Sequence, residues 1–146
     1  MEEEPNPNAP TPRQAAILRP PNPRHRAERV NLRTQPHGNV NTVAMPWVDF
    51  DQDIAAIRAG HCVRDGNRFI VNHREYVMEG SGRLYPTSGE GLFQLGRGAY
   101  VALGWYNQAG LTVAVEAELD RNQIIEYERE RAREIWRALQ EWRRRT

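Results

Sequence analysis

The sequence predicts an α+β fold: a small antiparallel meander packed against helices, a long C-terminal helix, and a disordered Pro/Arg-rich N-terminal arm. Three observations predict it. Short alternating apolar and polar runs separated by turn residues fill positions 67–87, apolar side chains recur at helical spacing over 124–142, and nine of the ten prolines precede Trp47. With 146 residues the chain is long enough for one modest core. The expected division is an arm over 1–46 and a single α+β domain over 47–146.

Residues 1–46 carry six arginines (Arg13, Arg19, Arg24, Arg26, Arg29, Arg33) against four glutamates, among prolines and asparagines. Such a segment has too little apolar surface to offset its ordering entropy, so it is expected to order only on a partner. Its apolar cluster Ala15-Ala16-Ile17-Leu18, between Pro12 and Pro20, reads as an incidental apolar patch or as a short docking motif. Further on, Val30, Leu32, Val40 and Val43 would let the arm lie along the domain.

Residues 47–60 read as a helix, with Asp49 as cap, Phe50, Ile54 and Ile57 on one face and Gly60 as its stop. Asp49, Asp51 and Asp53 resemble the start of a calcium loop, but the glycine and distal glutamate are missing, and acids in a first turn favour the helix dipole. Strands follow at 67–71, 74–79 and 83–87, joined by Asn72-His73 and Gly80-Ser81-Gly82. These loop lengths set a register that pairs Val71 with Arg74, Phe69 with Tyr76, Glu79 with Arg83 and Met78 with Leu84. One face then collects Phe69, Val71, Tyr76, Met78, Leu84 and Pro86. The other collects Arg68, Ile70, Glu75, Val77, Glu79, Arg83, Tyr85 and Thr87.

A glycine-rich connection at 88–91 leads through Leu92, Phe93 and Leu95 to a helix over about 97–108, in which Gly104 implies a close contact or a shorter helix. Residues 111–119 alternate with period two, so they read as a fourth strand or as the beginning of the last helix. Asp120 with Gln123 resembles a capping box, after which Ile124, Ile125, Ala132, Ile135, Trp136, Leu139 and Trp142 form one stripe. Opposite it, Glu126, Glu130, Arg133, Arg137 and Glu141 form a solvated face. Trp136 and Trp142 are core residues or a seam for a partner helix.

All 20 basic residues are arginine, the formal net charge is +1, and Cys62 is the one cysteine. A single thiol excludes an internal disulfide and a multi-thiolate metal site. No apolar run reaches the ~18 residues of a membrane span, and the N-terminus lacks the pattern of a secretory signal, so the expectation is a cytoplasmic protein without membrane contact. No metal or cofactor motif is present, and neither a nucleophile elbow nor a zinc helix occurs. Gly89-x-Gly91 beside Thr87 and Ser88 could cradle a phosphate before a helix, or simply join two elements.

The run Arg83-Leu84-Tyr85-Pro86-Thr87-Ser88-Gly89-Glu90-Gly91, followed by Leu95-Gly96-Arg97-Gly98-Ala99-Tyr100, resembles a Tyr-Pro-x-Ser-Gly-x-Gly motif of short bacterial proteins associated with toxin–antitoxin contexts. That resemblance implies a small toxin-like protein, with RNA or a protein such as an antitoxin as its partner. Metal-independent RNA cleavage needs a base, an acid and fixed cations. On the charged sheet face Glu75 is the candidate base and His73 the acid, Tyr85 and Thr87 would orient substrate, and Arg68, Arg83 and Arg97 would hold phosphate. The arrangement looks like that of barnase-like and colicin-type ribonucleases in architecture and residue types. The competing reading makes Glu75, Glu79, Arg68 and Arg83 cross-strand ion pairs. Two further readings stand beside these. A non-catalytic module would bind a partner through Ile17 and Leu18 in the arm and Trp136 and Trp142 in the last helix. An ADP-ribosyltransferase-like enzyme would use Thr87-Ser88 and Glu116-Ala117-Glu118.

Overall fold

The computed structural model describes residues 6–34, 36 and 40–146. In chain order the elements are α1 (Pro12–Ile17), β1 (Val40–Ala44), α2 (Phe50–Arg58), β2 (Val63–Asp65), β3 (Arg68–Val71), β4 (Arg74–Met78), β5 (Leu84–Gly89), β6 (Leu92–Gly96), α3 (Arg97–Ala109), α4 (Val113–Arg121) and α5 (Glu126–Arg145). Two single 3-10 turns, Pro23–His25 and Ala27–Arg29, lie between α1 and β1. The fold is α+β with a long C-terminal helix, as the patterning predicts. No helix among the described residues is long and apolar enough to cross a membrane.

The chain forms two compact units, Met1–Asn22 with Trp47–Leu92 and Pro23–Pro46 with Phe93–Thr146. In the first unit, β2, β3, β4 and β5 make a four-stranded antiparallel sheet in that order. The register is the expected one: Phe69 lies opposite Tyr76, Val71 opposite Arg74 and Met78 opposite Leu84. Asn72 and His73 take φ of 50° and 64°, the left-handed pair that a two-residue hairpin turn requires. Phe69, Val71, Tyr76, Met78, Leu84 and Pro86 are all buried. Phe50, Ile54 and Ile57 of α2 are buried too, and the Phe50 ring meets the Tyr76 ring edge-on at 6.3 Å. Between Glu75–Ser88 and Tyr76–Pro86 the register slips, so Thr87 is an extra residue in β5, a bulge that keeps Pro86 on the inner face.

In the second unit β1 pairs with β6, and α3 packs along α5. Leu103, Tyr106, Leu119, Ala132 and Leu139 are fully enclosed. Gly104 marks the predicted close contact, since a Cβ there would sit 3.1 Å from the Asn31 backbone. The Asn107 side-chain amide donates to the carbonyls of Ala27 and Val30, at 2.9 and 2.8 Å, and so fastens the second 3-10 turn to α3.

Several expectations are corrected. Residues 92–96, expected as a connection, form β6, and a further strand, β2, forms over Val63–Asp65, where the patterning predicts none. Residues 111–119 are largely helix: Thr112 caps α4 by accepting from the Val115 amide at 3.2 Å, and the buried residues Val115 and Leu119 are four apart. Asp120 lies inside α4 and caps nothing, while α5 begins after Ile125 without a side-chain cap.

The largest correction concerns the arm and the division at 46/47. Residues 6–34 are built into both units rather than forming a disordered tail. Leu18 is 3% exposed, and Ala27 and Val30 are fully enclosed. Composition misled because the segment is held largely by hydrogen bonds to its backbone. Arg58 donates to the Leu18 carbonyl at 2.9 Å, Arg64 to the Ala9 carbonyl at 2.9 Å, and Arg83 to the Pro20 carbonyl at 3.0 Å. The Arg19 amide and carbonyl bond Gly82 and Leu84 at 2.8 and 2.9 Å, adding a parallel bridge beside β5. At the other edge the Asn8 side chain accepts from the Arg64 amide at 3.3 Å. Unpaired backbone groups at both edges of the sheet are thereby engaged by residues 8–19.

Candidate functional site

The outward face of the four-stranded sheet holds most of the predicted site. Glu75 on β4 pairs with Arg68 on β3, accepts from the Ser88 hydroxyl at 3.3 Å, and its carbonyl accepts from the Thr87 hydroxyl at 3.0 Å. The hydrogen bond from Arg68 holds the Glu75 carboxyl below the ordinary carboxylate range, against the opposing pull of burial. A carboxylate stabilised in its charged form is a weaker base, which lowers its capacity to take a proton from a hydroxyl. His73 sits exposed in the turn before β4, and Tyr85 is half-buried on β5 opposite Val77.

The three arginines predicted to hold phosphate do not all belong to one unit. Arg68 is bonded to Glu75 and Arg83 to the Pro20 carbonyl, both in the first unit. Arg97 is exposed at the start of α3, in the second. Nor does the glycine-rich segment precede a helix N-terminus. Gly89 is paired with Arg74 in the sheet at φ 120°, where a Cβ would lie 2.3 Å from the His73 carbonyl oxygen, and β6 follows. The first turn of α3 is served instead by Glu128, whose carboxylate accepts from the Ala99 amide at 2.7 Å.

Between its polar groups the sheet face carries an apolar stripe. Val63 lies opposite Ile70, Ile70 is diagonal to Val77, and Val77 lies opposite Tyr85, so the stripe crosses all four strands. Val63 is 62% exposed and Ile70 46%. Sequence alternation had placed Ile70, Val77 and Tyr85 on this face; Val63 was missed because β2 is only three residues long.

The sequence also gave no prominence to a polar cluster beneath the sheet. Arg74, on the apolar face, makes a forked pair with Asp53 of α2 at 2.8 and 3.0 Å and reaches Glu90 at 2.7 Å. Asp53 further accepts from the Tyr76 hydroxyl and, at 2.7 Å, from the Asn72 amide. Trp47 donates its indole N–H to Glu90 at 2.9 Å. Burial, then the Asp53 hydrogen bond, pushes the Tyr76 phenol up, and Asp53 pushes the Arg74 guanidinium up, so both stay protonated. The signal available in the sequence was Arg74 itself, a charge at an inward position, which demands a buried acid. Because these groups satisfy one another, the cluster reads as an internal brace.

Cys62 donates to the Asn8 carbonyl at 3.3 Å, and burial pushes its thiol up, which disfavours the reactive thiolate. Glu116 and Glu118 lie on helix α4, where residues two apart point to different sides. Glu116 accepts from the Tyr106 hydroxyl at 3.1 Å and Glu118 pairs with Arg121. Thr87 and Ser88 lie in the other unit. Of the residues assigned to a partner, Ile17 is exposed and Leu18 is buried in the first unit. Trp136 is half-buried with its ring 6.4 Å from Tyr106, and Trp142 is half-buried near the chain end.

The fold and this site define an α+β protein of two units with a mixed apolar and charged sheet face. No family model, curated protein or solved structure matches the chain.

Proposed function

We propose that the chain is a non-catalytic protein-binding module whose contact surface is the outward face of the sheet. The observation that supports this most is the stripe Val63–Ile70–Val77–Tyr85, bordered by Arg68 and Glu75, which already bond each other. An apolar strip with a satisfied polar border suits a partner that offers apolar side chains, since burying it leaves no charge unpaired. The sheet edges are engaged by residues 8–19, so strand addition is disfavoured and the face is the surface left for contact.

A photo-crosslinking residue at position 70 should capture a discrete protein in the native host. That protein, purified, should bind the wild-type chain and lose at least tenfold in affinity against Ile70→Asp, with the melting temperature nearly unchanged. Equal binding by Ile70→Asp would overturn the assignment.

A second reading, a toxin-like ribonuclease acting without metal, draws support from Glu75, Ser88, Thr87 and Tyr85 lying on one open face. RNA cleavage in the presence of chelator, lost in Glu75→Gln and His73→Ala, would establish it in place of the binding module.

A further inference from the structure

On the outward face of the sheet, four neighbouring residues of β3 and β4 form the corners of one block. Ile70 lies opposite Glu75, and Arg68 lies opposite Val77. The two apolar side chains therefore occupy one diagonal of the block and the two opposite charges occupy the other. A half-turn about the apolar diagonal lays a second such face on the first. It brings Ile70 toward Ile70 and Val77 toward Val77, and it exchanges the charged corners, so that Arg68 of each copy meets Glu75 of the other. Two like charges at those corners would instead repel their own copies. The guanidinium also has donors to spare: Arg68 bonds Glu75 through Nε, its Nη groups have no partner among the described residues, and its side chain is 58% exposed. Two guanidiniums and two carboxylates alternating across the junction leave no charge unpaired when the face is covered. Val63, 62% exposed, and Ile70, 46% exposed, supply the apolar area that the contact takes from water.

We propose that the partner of this face is a second copy of the chain, packed face to face about a two-fold axis along the Ile70–Val77 diagonal. The inference rests on the sheet face being the contact surface. Four strands spaced about 4.8 Å apart set the outer two about 14 Å from each other, a patch at the small end of specific interfaces. Association in the micromolar range is the expected strength.

Sedimentation equilibrium of the full chain over a micromolar to millimolar series should pass from the mass of one chain to that of two. Arg68→Glu and Glu75→Arg should each self-associate at least tenfold more weakly, because each sets like charges together twice. Their equimolar mixture should regain the wild-type strength, since one copy then carries both acids and the other both arginines. The two substitutions combined in one chain, which also restore the pair within it, should dimerise as the wild type does. Melting temperatures should stay near that of the wild type, because a surface ion pair contributes little to folding. Single variants that dimerise like the wild type, or a mixture that associates no better than its components, would overturn the proposal. A wild-type chain that stays monomeric while a probe at position 70 captures a different protein removes the second copy and leaves the binding face standing. A monomeric wild type with nothing captured removes both.

Discussion

Arg74 is the residue on which the first unit's interior turns. It stands at an inward position of β4, 7% exposed, and its charge is tolerable there because Asp53 meets it with two oxygens and Glu90 with a third. Taking two ions out of water costs about as much as their attraction returns, so the pair as a whole adds little net stability. Removing one member is a different matter, because the other is left buried and unpaired. Arg74→Met is expected to lower the unfolding free energy by about 3–5 kcal/mol. Asp53→Leu combined with Arg74→Met should recover a large part of that loss. Urea unfolding of the single and double variants measures both, and simple additivity of the two single effects would contradict a coupled brace.

At the scale of elements, the segment 17–19 depends on a glycine. Gly82 has φ 90°, and a Cβ there would lie 2.0 Å from the Ile17 carbonyl oxygen, so a side chain must push that segment off the edge of β5. The Arg19 bonds to Gly82 and Leu84 go with it. Gly82→Ala should therefore destabilise by more than the ~1 kcal/mol typical of a lost backbone hydrogen bond and should open a protease site near Arg19. Gly66→Ala is the control, also at positive φ but with open space around its Cβ position. Equal loss in both would mean that strain alone, without the docked segment, accounts for the effect. The element that alternation described least well is α4, where Val113, Val115, Ala117 and Leu119 mimic a strand. A helix wins there because Thr112 caps it and Val115 and Leu119 fall on one buried side, while Val113 is left 88% exposed.

For the whole molecule, the path of the chain matters more than any one contact. It passes from one unit to the other after Asn22, after Pro46 and after Leu92, so each unit is assembled from two separated stretches. A fragment of residues 47–146 lacks Leu18 from the first unit and Ala27, Val30, Val43 and Met45 from the second, all of them buried. It is expected to keep helical far-ultraviolet signal while losing near-ultraviolet ellipticity and cooperative unfolding. Limited proteolysis of the intact chain should correspondingly spare most of residues 6–34. Rapid cleavage back to Trp47 with retention of a stable, cooperatively folding core would overturn the two-unit assembly.

Much of the local structure is determined by the sequence itself. Asn72-His73 and the loop before Arg83 set the hairpin register, and with it the burial of Phe69, Tyr76 and Leu84. Asp49 sets the start of α2, and the spacing of Ala132, Ile135 and Leu139 sets the buried side of α5. These features rest on neighbours within a few residues, where turn length and periodicity leave little choice. Only the tertiary structure decides that Leu18, Ala27 and Val30 belong to the interior, that Asp53 answers Arg74, and that Arg58, Arg64 and Arg83 bind backbone carbonyls. The proline- and arginine-rich segment has no period to reveal it. The three arginines lie some 40 to 63 residues from the carbonyls they bind, and Asn107 lies 77 and 80 residues from those of Val30 and Ala27; a carbonyl looks the same in every residue, so the bonds that order the segment leave no mark in the composition.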